Sequence, residues 1–538
     1  MPHTHDVTVV GAGPAGVAAA VEAAEAGLDV ALIDAAAQPG GQYWRHFDED
    51  RARPEDRRGH HGWPVFTGLR DRLYVLRDAG RVHYLPGHQV WLATRDDAGT
   101  FTLRVTPTVR DPEPAGPGHG GTGHDGQDPV VARALILCPG GYDRQLPFPG
   151  WDLPGAMAAG GVQALLKGHR ALAGRRAVVG GTGPFLLPVA SGLAHAGAQV
   201  AAVVEANATL GWLRDPVGAV SAPGKGVEAA QYAATLARHR IPYRTRTVIR
   251  AILGDGRVEA VRTVKVDREG RPAGPEREIA ADLVALGWGF TPSLELPLML
   301  GAATRQDVDG SLVVEVDDLQ RSSVDGVYVA GEATGVGGAA LSVSEGRLSA
   351  LALAAALGRP RMDPGTNADA DRNTEAAGNT DADGTTDGNT SADKSAASGA
   401  AADPAGIRRV QARIRRGRRF AAAMHRTYPV PAAWPRSLPD ATVVCRCEEV
   451  TYGDLRHAHA ELGATDARTL KMLARPGMGW CQGRICGYAT AGIAAWLDGR
   501  RPTADDLLPL SGRTPAVPVR LGELAALAET VTADPAGP

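Results

Sequence analysis

The chain has 538 residues, 44% hydrophobic and 22% charged, with a formal net charge of −3, the makeup of an ordinary globular protein of several domains. That balance gives no global attraction to nucleic acid or to an anionic membrane surface, and no apolar run reaches the roughly 18–20 residues of a membrane span. Four of the five cysteines lie near the C-terminus and no secretory signal opens the chain, so the thiols read as a metal or cluster site in a reducing compartment, with a cytoplasmic location expected.

In chain order, Asp6-Val7-Thr8-Val9-Val10 is a short buried strand running into Gly11-Ala12-Gly13-Pro14-Ala15-Gly16 and an Ala-rich helix. Gly11 suits a tight turn, Gly13 lets backbone approach a pyrophosphate, and Gly16 lets the helix pack on the strand. The amides and dipole of the helix N-terminus then face the phosphates. A second strand, Val30-Ala31-Leu32-Ile33, ends at Asp34, eighteen residues after Gly16, where a carboxylate accepts the ribose hydroxyls of an adenosine. Pro39-Gly40-Gly41-Gln42 follows, and Tyr43, Trp44 and His46 after it are expected to pack rather than to act as acid or base. No catalytic acid or base is assigned. A Pro/Gly/His stretch over 107–129 reads as a surface loop, and Cys138 in Leu137-Cys138-Pro139-Gly140 as a small core residue.

The unit then repeats. Ala177-Val178-Val179-Gly180 leads into Gly181-Thr182-Gly183-Pro184-Phe185-Leu186, a helix, and the strand Val200-Ala201-Ala202-Val203-Val204 ending at Glu205. Leu186 stands where the third glycine would be, so this site, with Gly181, Gly183 and Glu205, holds NAD or another adenine nucleotide, or is vestigial. An acid at Glu205 favours a free 2′-hydroxyl and hence NAD over NADP. Residues 283–292 return the chain to the first unit, where Gly326-Val327-Tyr328-Val329-Ala330-Gly331-Glu332 forms a strand ending in Gly-acid, followed by Thr334-Gly335-Val336-Gly337-Gly338-Ala339 opening a helix.

Between Met362 and Ile407 there is no Val, Ile, Leu, Phe, Tyr or Trp, so this stretch is expected to be a disordered linker. A helix rich in arginine follows, from Ile407 to Arg426. Its apolar Ile407, Val410, Ile414 and Met424 predict one face packed on protein, with the arginines solvated or meeting an acidic partner and no role in nucleic-acid binding. The last motif is Cys445-Arg446-Cys447, then Cys481-Gln482-Gly483-Arg484-Ile485-Cys486 after thirty-three residues. Four thiolates suit a [2Fe–2S] cluster; tetrahedral zinc is the alternative.

These motifs resemble the two-dinucleotide-binding flavoprotein fold, in which the first unit and the Gly-acid strand bind FAD. The middle motif departs from that pattern, and Glu332 replaces the usual aspartate. No cysteine pair follows Gly40-Gly41 or lies in the second unit, so a dithiol mechanism lacks its nucleophile. The cysteine spacing resembles the domain of the bacterioferritin-associated ferredoxin. Together with Phe148-Pro149-Gly150-Trp151 and Gln482-Gly483-Arg484-Ile485-Cys486-Gly487, the chain is similar to the α subunits of the opine oxidase, hydrogen cyanide synthase and hydroxyproline dehydrogenase group, and to part of the sarcosine oxidase α subunit. The resemblance implies an α/β flavoprotein with the second nucleotide domain inserted in the first, plus a small α-rich [2Fe–2S] domain. It divides the chain into a first flavin part (1–168), a second nucleotide domain (169–290), a second flavin part (291–362), a linker (363–406), a basic helix and connector (407–440), a cluster domain (441–500) and a tail (501–538). It also implies an FAD-containing β subunit that oxidises an amine or amino acid, with electrons relayed here through FAD and cluster. A self-sufficient NAD(P)H-dependent reductase and a scaffold whose nucleotides only stabilise the fold stay open beside it.

Overall fold

The computed structural model describes residues 3–53, 59–108, 129–267, 270–358 and 404–532. Most of the surface loop expected at 107–129 and all but 404–406 of the expected linker lie outside them.

The first unit is a mixed sheet whose central strands run parallel, as near-continuous aliphatic runs covered on both faces, with two antiparallel strands at one edge. Strand β1 (Thr4–Val10), helix α1 (Pro14–Glu25), β2 (Val30–Asp34), α2 (Trp63–Asp78) and β3 (Val82–Pro86) form its start, followed by β4 (His88–Arg95), β5 (Phe101–Pro107) and β6 (Val130–Leu137). The sheet runs β3-β2-β1-β6-β5-β4. After β7 (Gly141–Asp143), β8 (Ala156–Ala158) and α3 (Ala159–His169), the second unit consists of β9 (Arg176–Gly181), α4 (Leu186–His195), β10 (Gln199–Glu205), α5 (Pro216–Val220), α6 (Pro223–Arg238) and β11 (Tyr243–Arg244). An antiparallel meander of β12 (Thr247–Leu253), β13 (Ala260–Lys265) and β14 (Arg277–Ala280) leads to β15 (Leu283–Gly287). The second sheet runs β11-β10-β9-β15-β8, so it draws in β8 from upstream of residue 169. The meander packs on one of its faces through Ile249, Ile252, Val261 and Ile279.

The chain returns through β16 (Phe290–Pro292), which pairs with β7, then α7 (Glu295–Met299), β17 (Thr304–Gln306) and β18 (Leu312–Val314). Strand β19 (Val327–Val329) joins β6 in parallel, and α8 (Ala339–Ala356) packs along α1. A side chain at Gly346 would overlap the Ala15 carbonyl, so the close crossing of these helices depends on that glycine.

Downstream, the basic helix Pro404–Thr427 lies on α8 through Ile414, Leu341 and Leu348. The cysteines follow on a hairpin, Val443–Cys445 with Val450–Thr451, and a helical cluster. Helices Tyr452–Leu462 and Ala467–Ala474 begin with capping boxes, Thr451 with Asp454 and Asp466 with Thr469. Gly487–Leu497 and Ala504–Ser511 complete the cluster. One hydrophobic core joins Val10, Leu137 and Val329 of the first sheet to Val444, Cys445, Leu470 and Ile493.

Candidate functional site

At the first cradle, side chains at Gly11 and Gly16 would overlap the carbonyl oxygens of Cys138 and Gly11, so the turn into α1 closes only with glycine at both places. Gly13 caps α1, Pro14 occupies its first turn, and no side chain caps the helix. The amides of Ala15 and Gly16 are thus left facing the position of an anion. Asp34 is buried at the end of β2 and accepts from the amides of Ala12 and, at 2.6 Å, Ala36. Burial raises its pKa, and the two amide hydrogen bonds oppose that rise. Gly41 lies against the loop: a β-carbon there would be 2.8 Å from Gly13 Cα. Gln42 accepts from Arg45 at 2.9 Å.

Glu332 completes this side of the fold. One of its carboxylate oxygens accepts from the Gly338 amide at 3.0 Å; the other, Oε2, is buried with no hydrogen-bond partner. Desolvation pushes its pKa up to about 7. A buried acceptor without a donor is costly in a finished core and suits a site that a ligand hydroxyl completes. The first-unit residues therefore fit FAD.

The second cradle is built differently. Helix α4 begins at Leu186, the sixth motif position, whereas α1 begins at the fourth, Pro14. Glu205 is fully buried and accepts from Thr182 Oγ1 at 3.0 Å and from the amides of Gly183 and Asn207, each at 2.8 Å. Desolvation again dominates, raising its pKa to about 7.

The four C-terminal cysteines come together from the hairpin and the loop before Gly487–Leu497. Cys445 and Cys486 share a hydrogen bond, which holds the Cys445 thiol down at about 5 and pushes Cys486 up. Cys447 and Cys481 form a second pair. Among the described residues, no three of these sulfurs lie within 4.8 Å of one another. Two irons with two thiolates each would use all four cysteines. The Gly477 amide donates to Cys445 Sγ at 3.4 Å, and a side chain at Gly479 would overlap Cys447 Cβ. Cys447 is exposed.

Several groups at these sites have no signature in the sequence. Arg418 of the basic helix bonds Gly335 O at 2.7 Å and Thr334 Oγ1 at 2.5 Å, and pairs with buried Glu345 at 2.5 Å. Its acidic partner is thus in its own chain. Arg144, almost fully buried, pairs with Asp309 at 2.8 Å and stacks on Tyr488 of the cluster domain. Glu295 meets Arg513 at 2.7 Å and Arg484 at 3.0 Å. These charges come from distant segments and carry no local motif. His3 and His5 both reach Asp29 Oδ2, at 2.6 and 2.9 Å. No histidine set stands out in the sequence, although alternation on a strand could have flagged this pair. Trp44 and His46 are buried, bonded to His61 O at 3.0 Å and Trp44 O at 2.7 Å, which is a packing role. Cys138 is buried, and burial pushes its thiol up.

The pyridine nucleotide-disulphide oxidoreductase profile matches residues 5–356, and the BFD-like [2Fe-2S] binding domain profile matches residues 443–496. The chain is 32% identical to an opine oxidase subunit of Rhizobium meliloti across 98% of its own length and 89% of that protein's. It is 29% identical to the hydrogen cyanide synthase subunit HcnB of Pseudomonas aeruginosa across 90% and 91% of the two chains. The alpha subunit of sarcosine oxidase from Rhizobium meliloti is 28% identical over 66% of this chain but only 31% of that larger protein. Among solved structures, L-proline dehydrogenase from P. horikoshii shares the fold, with a TM-score of 0.60 at 18% identity over 97% of this chain and 79% of that one. The mixed α/β flavoprotein fold and the appended helical domain are thus as the sequence implied, and among the described residues no helix is long and apolar enough to cross a membrane. The chain belongs to the pyridine nucleotide-disulphide oxidoreductase family, as a flavin oxidoreductase carrying a BFD-like [2Fe–2S] domain.

Proposed function

We propose that the protein is the electron-relay subunit of an oxidase or dehydrogenase whose partner subunit, carrying its own FAD, oxidises an amine or amino acid of the opine, hydroxyproline or sarcosine type. The observation that carries this reading is the shared core. The flavin-type sheet and the four-cysteine site are packed as one body, so groups held at the two sites keep a fixed separation. A flavin exchanges two electrons and a [2Fe–2S] cluster one at a time, so the pair can convert a two-electron input into single-electron output.

The chain's own residues supply the setting. Gly11, Gly13, Pro14, Ala15, Gly16 and Asp34 would hold the adenosine and pyrophosphate, and Gly41, Gln42, Gly331 and Glu332 the flavin end. Cys445, Cys447, Cys481 and Cys486 would hold the cluster, with the Gly477 amide stabilising charge on sulfur. The relatives are named as subunits, which supports a partner. No cysteine pair stands at either dithiol position, which supports relay over disulfide chemistry.

Flavin, iron and zinc analysis with a visible spectrum of the anaerobically purified chain, followed by NADH, tests this. Flavin plus iron with no bleaching by NADH supports the relay role. Rapid bleaching favours a self-sufficient reductase, absence of flavin a scaffold, and zinc in place of iron ends the relay.

A further inference from the structure

The family profile across residues 5–356 implies a nicotinamide dinucleotide at the second cradle, and the residues there do not fit one. Among the amides that a pyrophosphate would use, Leu186 N, the counterpart of Gly16 N, already donates to Gly183 O at 3.3 Å. Glu205, which would receive ribose hydroxyls, is fully buried and already has three donors.

The chain itself covers what is left. Asn207, two residues beyond Glu205, donates its Nδ2 to Pro429 O at 2.8 Å. A β-carbon at Gly183 would lie 3.9 Å from Tyr428 Cβ, so this side chain roots directly against the glycine that a pyrophosphate would approach. Trp212 donates to Tyr428 Oη at 3.2 Å and stacks on Phe420, ring centres 5.5 Å apart. Arg426 pairs with Asp215 at 2.9 Å. The seat has been cut to fit: β-carbons at Gly211 and Gly218 would come within 2.9 Å of Thr427 Cγ2 and 2.5 Å of Ala423 Cβ.

We propose that Tyr428 and Pro429, anchored by the end of the basic helix, form an internal strap that fills the second nucleotide cradle and keeps NAD(H) out of it. Gly181, Gly183 and Glu205 then serve the strap instead of a cofactor. This holds whatever substrate the partner oxidises.

The test is equilibrium binding of NADH to the flavin-loaded full chain by calorimetry, comparing wild type with Tyr428→Gly and Asn207→Ala. Flavin content and a cooperative melt confirm that each variant is folded; Asn207→Ala decides if Tyr428→Gly is not. The expected result is no saturation of wild type up to about 1 mM NADH, and at least a roughly tenfold gain in affinity in a folded variant. Micromolar binding by wild type overturns the proposal, because the strap then excludes nothing. Absence of any gain in folded variants overturns it too, because the strap is then not what closes the cradle.

Discussion

Glu332 stands where the fold most often has aspartate, and the longer arm leaves one oxygen buried without a donor. In the flavin-free protein its carboxyl keeps a proton up to about pH 7, against 4.5 for the ordinary group. Between those values the folded state binds more protons than the unfolded one, so this group's contribution to stability falls as pH rises from 4.5 to 7 and is level above. The loss is at most about 3 kcal/mol. Glu332→Gln should flatten that part of the pH profile in denaturant melts of the apoprotein; an unchanged slope would assign it to other groups. Gly479→Ala forces a methyl onto Cys447, and iron per chain should fall well below wild type while flavin per chain is kept; full iron content would contradict the assignment of these thiols. Residues of this kind were legible in advance because a glycine turn, a terminal acid or a cysteine pair is a local pattern. Glu345 with Arg418 was not, since the two are far apart in sequence and neither sits in a motif.

The strands, helices and their order followed from hydrophobic runs punctuated by glycine, and the basic helix from its apolar spacing. What escaped was how elements meet. The chain beyond residue 500 read as a tail, yet it carries the helix Ala504–Ser511, and Arg513 donates to Gln482 O at 2.6 Å beside the second cysteine pair. Arg513 also meets Glu295 of α7, both side chains being 8% exposed, so the tail fastens the cysteine loop to the flavin unit. Removing one partner of a buried ion pair strands the other at a cost of about 3–5 kcal/mol. Glu295→Ala should therefore lower the denaturant midpoint of iron release, with flavin release shifted less; equal shifts would show that the two sites unfold as one unit. The arginines of the basic helix read as solvated or facing an acidic partner. Arg418 meets its acid, Glu345, within the chain and also reaches into the Gly331–Gly335 turn, which composition alone cannot place.

Across the molecule one nucleotide-binding unit occurs twice, but the two copies are finished differently. The first keeps three glycines and has beside it a buried carboxylate oxygen without a hydrogen-bond partner; the second has Leu186, whose amide is already bonded, and a strap of its own chain. The duplication was plain in the sequence and the closure was not, because residues 428–429 reach the cradle only through the packing of the basic helix. The proposed relay requires electrons to pass between the first site and the cysteine site, which share one core. Stepwise anaerobic photoreduction of the purified, flavin- and iron-loaded chain, followed by visible and EPR spectroscopy on the same samples, puts this relay to the proof. Flavin bleaching and the EPR signal of a reduced [2Fe–2S] cluster should develop together as electrons redistribute within each protein. A cluster that stays oxidised while the flavin is fully reduced, or iron-free protein with zinc at the cysteines, would contradict the relay.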